Sequence, residues 1–204
     1  MKLLHYFTLV LLFIATSSYA NVVGPGGGGV VWSLQCDGYL VKVPAGWILD
    51  NQLAARHGMD MFFLPTEAPR VLSTNMPVFA YVMPAVKVSN SGQKVTVQGM
   101  IDYAVQSYLK RDASTKVLVS VNDWGLDSKD RKVTLAQITA PTLGKFEAIA
   151  YDEDEQSIFE VALVAKSAEL LAEKKDFLKQ IVLSAKIIHN LGAKPPCPIL
   201  PIGK

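Results

Sequence analysis

The sequence predicts an α+β fold, one antiparallel sheet with helices packed on it. Two observations carry that expectation. Residues 116–121, 132–139, 145–151 and 157–165 are consecutive β-rich runs joined by short polar links, the pattern of antiparallel neighbours. Residues 96–110 and 167–187 place apolar side chains at helical spacing, and each stripe needs a sheet face to cover.

The elements follow in order. The first twenty residues, MKLLHYFTLVLLFIATSSYA, combine the positive Lys2, an apolar run over residues 7–15 and small residues before Ala20. That is the pattern of a secretory signal peptide cleaved after Ala20, to be set aside in reasoning about the fold. Residues 21–29 contain GPGGGG and are expected to form a flexible leader. A phosphate loop does not fit there, because its Lys-Ser/Thr ending is missing. A single domain is expected over residues 30–190, beginning with strands at 30–36 and 38–43. Pro44-Ala45-Gly46 then turns the chain, and Asp50 or Asn51 caps a short helix through Arg56 that Gly58 ends. Strands are expected at 59–64 and 77–88, where Pro84 marks an edge or a bulge.

Thr96 is the expected N-cap of the first long helix, with Ile101, Val105, Tyr108 and Leu109 on its inner face. In the last hairpin the acidic stretch Asp152-Glu153-Asp154-Glu155 is expected at the tip. Ser167 caps the closing helix, whose stripe is Leu170, Leu171, Phe177, Ile181, Val182 and Ala185. Residues 191–204 carry four prolines and are expected to lie extended as a tail.

Size and charge limit the function classes. A chain of 204 residues, less its leader, suits one domain with a real core. The formal net charge is only +2, and Lys2 leaves with the leader, so there is no electrostatic footprint for nucleic acid. After the leader no apolar run approaches the roughly 20 residues of a membrane span, so no transmembrane anchor is expected once the signal is cleaved. The two cysteines, Cys36 and Cys197, are expected to pair as one disulfide in an oxidising compartment, with two separate thiols as the alternative. Such a bond would pin the Pro-rich tail.

The segments VPAGWILDN, MDMFFLP, TVQGMIDYAVQSYLK, FEAIAYDEDEQSIFEVALVA and DFLKQIVLSAKII, in that order, resemble the PsbP-like superfamily, which includes PsbP, DcrB and Ran-binding Mog proteins. The resemblance covers roughly residues 38–188. It implies an α/β/α sandwich and a binding or assembly role, and it carries no catalytic residues over to this chain.

Direct chemistry is sparse in the sequence. After the leader there are two histidines, His57 and His189, both at expected element ends where capping explains them. No Gly-x-Ser-x-Gly elbow is present. Ser107-Tyr108-Leu109-Lys110 matches Ser-x-x-Lys, but the partner motifs are missing and Tyr108 belongs to a core stripe. The acidic stretch from Asp152 and the trio Asp123, Asp127 and Asp130 lack the EF-hand pattern. No catalytic residue, cofactor or metal is therefore expected. Trp124, in the polar turn Asn122-Asp123-Trp124-Gly125, is the candidate partner contact, since exposed tryptophans favour binding surfaces. The expected function is a periplasmic or secreted non-enzymatic binding module with a protein partner. The alternatives are a hydrolase using unidentified carboxylates and a periplasmic inhibitor or immunity protein. A concave site with converging titratable groups would favour the enzyme.

Overall fold

A computed structural model describes residues 22–32, 38–69, 76–86, 94–124, 133–153 and 157–188. The strands are β1 (Val22–Val23), β2 (Gly28–Trp32), β3 (Gly38–Lys42), β4 (Trp47–Asp50), β5 (Met61–Pro65), β6 (Val78–Val86), β7 (Lys116–Asn122), β8 (Val133–Ala140), β9 (Lys145–Glu153), β10 (Ser157–Ala165) and β11 (Lys186–Ile188). The helices are α1 (Asn51–Arg56), α2 (Val97–Leu109), α3 (Ala168–Lys174) and α4 (Asp176–Ser184). The described strands form an eight-stranded sheet, β1-β4-β5-β6-β10-β9-β8-β7, and a three-stranded sheet, β11-β3-β2. Every recorded pairing is antiparallel.

The expected α+β architecture with a large antiparallel sheet is present, but the single sheet is two. The second sheet joins β2 and β3, on segments largely expected as strands, to β11 from the end of the expected closing helix. The segment expected to be a flexible leader supplies β1 and the first residues of β2. β1 pairs with β4 at the edge of the large sheet, and β2 pairs with β3 in the small one. Glycine explains why the chain can run there. Gly26 has φ 80°, and its N–H donates to the Val43 carbonyl at 2.9 Å. At Gly28 a Cβ would come within 2.9 Å of the Val41 carbonyl oxygen, a backbone atom held in the sheet, and at Gly29 within 2.8 Å of Leu49 Cδ2 and Met61 Cε, side-chain ends that would have to move aside.

The two faces of the large sheet carry different loads. One packs Val82, Leu135, Ala150, Val161 and Leu163 against Phe177, Leu178, Ile181 and Val182 of α4 and against Tyr39 and Val41 of the small sheet. Trp47 closes that core, its ring 4.2 Å from Phe177, while Tyr39 stacks on Phe159 at 4.7 Å and hydrogen-bonds Ser157 through its hydroxyl. The other face receives α2 through Ile101 and Tyr108, and farther along receives α1 through Leu53 and Ala54.

Helix starts follow the expected caps. The Asp50 carboxylate accepts from the Gln52 and Leu53 N–H groups, Thr96 Oγ1 from Gly99 and Ser167 Oγ from Leu170. The closing helix departs from expectation in two ways. It divides at Lys175, where Leu178 N–H reaches back only three residues to the Lys175 carbonyl. It also ends at Ser184, and Lys186–Ile188 leave as β11 to satisfy the edge of β3. Asp152 and Glu153 are likewise strand residues of β9, and Asp152 is buried. Pro84 lies in β6, between two strands, but β5 pairs only with Ala80, Tyr81 and Val82, so the β5 side has ended before the missing N–H matters. The signal segment, Cys36, Cys197, His189 and the Pro-rich tail lie outside the described residues. Among the described residues no helix is long and apolar enough to cross a membrane.

Candidate functional site

α2 does not seal the face it covers. Between the helix and strands β6, β9 and β10 lies a cavity of about 600 Å³, lined by tyrosine and methionine side chains and two glutamates. That volume falls within the range of small-molecule pockets. The helix offers it Met100, Tyr103, Ala104 and Ser107, a stripe at helical spacing beside the buried Ile101 and Tyr108. The sheet offers Tyr81 and Met83 from β6, Glu160 from β10, and Glu147, Ile149 and Tyr151 from β9.

Strand register explains why these side chains meet. Met83, Glu160 and Tyr151 are directly paired across three strands, and the next row is Tyr81, Ala162 and Ile149. Glu147 pairs with Val164, one row further on the same face. The small Ala162 on the intervening strand leaves room for Tyr81 to reach across it. Tyr81 donates its hydroxyl to Glu147 Oε1 at 3.0 Å, and Tyr108 donates from α2 to Oε2 at 2.8 Å. Both oxygens of this buried carboxylate are therefore engaged, as a group with 4% exposure requires.

Electrostatics separates the two glutamates. Burial pushes the Glu147 carboxyl above its usual range, and the two tyrosine hydroxyls oppose that shift. Glu160 is pushed up to about 7, first by burial and then by the charge of Glu147. It accepts no hydrogen bond from a described residue, so its oxygens face the cavity chemically open. Burial and the neighbouring carboxylates push Tyr81, Tyr108 and Tyr151 upward, which keeps them neutral donors. Two cations also border the cavity. Arg111 places its guanidinium 5.2 Å from the Tyr108 ring centre and donates its Nε to the Ser107 carbonyl at 3.3 Å. Lys94 is exposed.

The residues singled out from sequence lie elsewhere. Trp124 is half-buried against the opposite core, so part of its indole packs and part stays open. His57 is exposed at the C-cap of α1, the element end expected for it. Asp123 is exposed, and Asp127 and Asp130 fall outside the described residues. No group of three or more His, Cys, Asp or Glu that could hold a metal ion occurs among the described residues. Sequence reasoning missed Glu147 and Glu160. The available signal was a charge at an inward position of FEAIAY and of IFEVALVA, strands buried on both faces.

No family model matches this chain, and no curated protein matches it. Among solved structures it is similar to the solution structure of cyanobacterial PsbP (CyanoP) from Synechocystis sp. PCC 6803. The match has 9% identity and a TM-score of 0.47, and covers 81% of this chain and 95% of that one.

Proposed function

We propose that this chain is a non-enzymatic binding module of the periplasm or extracellular space, and that the cavity beneath α2 is its receptor. The observation that carries this reading is the state of Glu147. Hydrolysis by a carboxylate pair needs both groups available, one as acid and one as base or nucleophile. Here Glu147 accepts from two tyrosine hydroxyls and serves to hold the cavity wall. Glu160 alone keeps open oxygens, and none of the lining residues is a histidine. One open carboxylate among tyrosines is suited to recognition.

The test is binding without turnover. A thermal-shift screen of small molecules on the mature protein should find stabilising ligands, and Ala104→Phe, which fills the cavity, should abolish their effect. Ligands consumed on incubation, with Glu147→Gln removing that activity, would establish the hydrolase instead. Export rests on the signal-like leader, and sequencing the N-terminus of the exported protein should return Asn21. Disulfide pairing of Cys36 with Cys197 belongs to the same proposal, and labelling without reductant should find no free thiol.

A protein partner has its own observation. Among the described residues β7 is the last strand of the large sheet, and it exposes Val117, Leu118, Val119 and Val121. An apolar edge invites strand addition by another chain. Leu118→Lys should weaken such a contact while leaving the cavity ligands bound.

A further inference from the structure

We propose that the cavity beneath α2 takes a primary ammonium group carried on an apolar or aromatic body, with Glu160 as its counter-charge. This rests on the cavity being the receptor and adds the chemical class of what enters it. The walls are the first argument. Tyr81, Tyr108 and Tyr151 present aromatic surface and Met83 and Met100 apolar surface, a lining that favours a ligand with an apolar body. Ring faces also attract cations, and the attraction grows once water is excluded.

The second argument is hydrogen-bond supply. The tyrosine hydroxyls of Tyr81 and Tyr108 are spent on Glu147. Glu160 accepts no hydrogen bond from a described residue and lines the cavity at a partly buried strand position, so its oxygens are there for a ligand donor to take. An ammonium has three N–H groups and a positive charge, so it supplies donor and counter-charge together. A carboxylate or phosphate ligand would instead face two carboxylates across the cavity. The bordering cations do not fill the same role. Arg111 is held over Tyr108 and bonded to the Ser107 carbonyl, and Lys94 remains in solvent.

An ammonium can come from a free amine or from a lysine side chain of another protein, and the probes separate them. Calorimetric titration of the mature protein at pH 8 would compare 2-phenylethylamine, its uncharged isostere 2-phenylethanol, and Nα-acetyl-lysine amide. The amine is expected to bind at least about tenfold more tightly than the alcohol, and Glu160→Gln to erase that difference. Tighter binding of the lysine derivative than of 2-phenylethylamine assigns a protein side chain, and the reverse assigns a free amine. Met83→Lys, at a 40% exposed position paired with Glu160, should weaken amine binding without disturbing the core, should Ala104→Phe fail to fold. Equal affinity for amine and alcohol, both lost in Ala104→Phe, would overturn the ammonium assignment and leave the cavity as receptor. Probe binding unaffected by Ala104→Phe and by Met83→Lys, or no binding up to about 10 mM, would overturn the proposal itself.

Discussion

The two faces of the eight-stranded sheet are built from the same strands and do opposite things. On one, α3, α4 and the three-stranded sheet close over Phe159, Leu163, Phe177 and Ile181, with the carboxylate of Asp152 buried beside Phe159 and Val133 at the end of the sheet. On the other, α2 stands off the sheet, and the same strands β9 and β10 turn Glu147 and Glu160 inward. Alternation along a strand makes this division possible, because neighbouring residues serve different faces. Ala148 and Val161 are core, while Glu147 and Glu160 beside them line the cavity. The closed face holds the larger cluster of buried side chains, whereas the open face adds two inward glutamates to its own smaller cluster.

The largest expected effect breaks the closed face. Phe177→Ala removes the ring packed on Trp47 and Phe63 and should cost about 3–5 kcal/mol in denaturant unfolding. Met100→Ala, half-buried beside an existing cavity, should cost about 1 kcal/mol. Equal losses would erase the contrast between the faces.

Next comes the charge on the open face. In the unfolded chain Glu160 releases its proton near pH 4.5, whereas in the fold it holds the proton up to about pH 7. The folded protein thus binds more protons across that window, and stability falls as pH rises through it. Glu160→Gln should stabilise by about 2 kcal/mol at pH 8 and by little at pH 4, measured as urea midpoints at both pH values. Burial and the charge of Glu147 on β9 set this titration. The other titratable or charged groups that border the cavity are Tyr151 on β9, Tyr81 on β6, Tyr103, Tyr108 and Arg111 from α2 and its end, and Lys94 before it. A wild-type stability that rises from pH 5 to pH 8, with the rise lost in Glu160→Gln, would reverse the assignment.

Tyr108→Phe removes one of the two donors to the buried Glu147 and should cost about 1–2 kcal/mol. It should also raise the Glu147 titration further, visible by carboxyl-carbon NMR. The smallest effect lies at the cap of α3. Ser167→Ala should lose about 1 kcal/mol in denaturant unfolding at pH 8.

Much of the closed face was legible in the sequence. Its helix stripe of Leu171, Phe177, Ile181 and Val182 and its Ser167 cap follow from helical spacing and hydroxyl chemistry. α2 was equally legible from Thr96 to Tyr108. What escaped depends on pairing between distant segments. The glycines of residues 24–29 signal freedom locally, but here Gly28 lies close against the Val41 backbone and Gly29 against Leu49 and Met61, a fact of tertiary packing. Ile187 and Ile188 continue a helical pattern, yet the unpaired edge of β3 claims them as strand. Glu147 and Glu160 are thirteen positions apart, and only the β9–β10 register places both on the α2 face. Tyr108 looked like ordinary core, since its hydroxyl partner lies thirty-nine residues away.

The central claim is that the open face is the receptor. Titrating 2-phenylethylamine into isotopically labelled mature protein and following backbone amide shifts tests it most directly. The shifts should concentrate on Met83, Met100, Tyr103, Tyr151 and Glu160, with β7 and α4 unmoved. Shifts concentrated along β7, with the residues around the cavity unchanged, would contradict it.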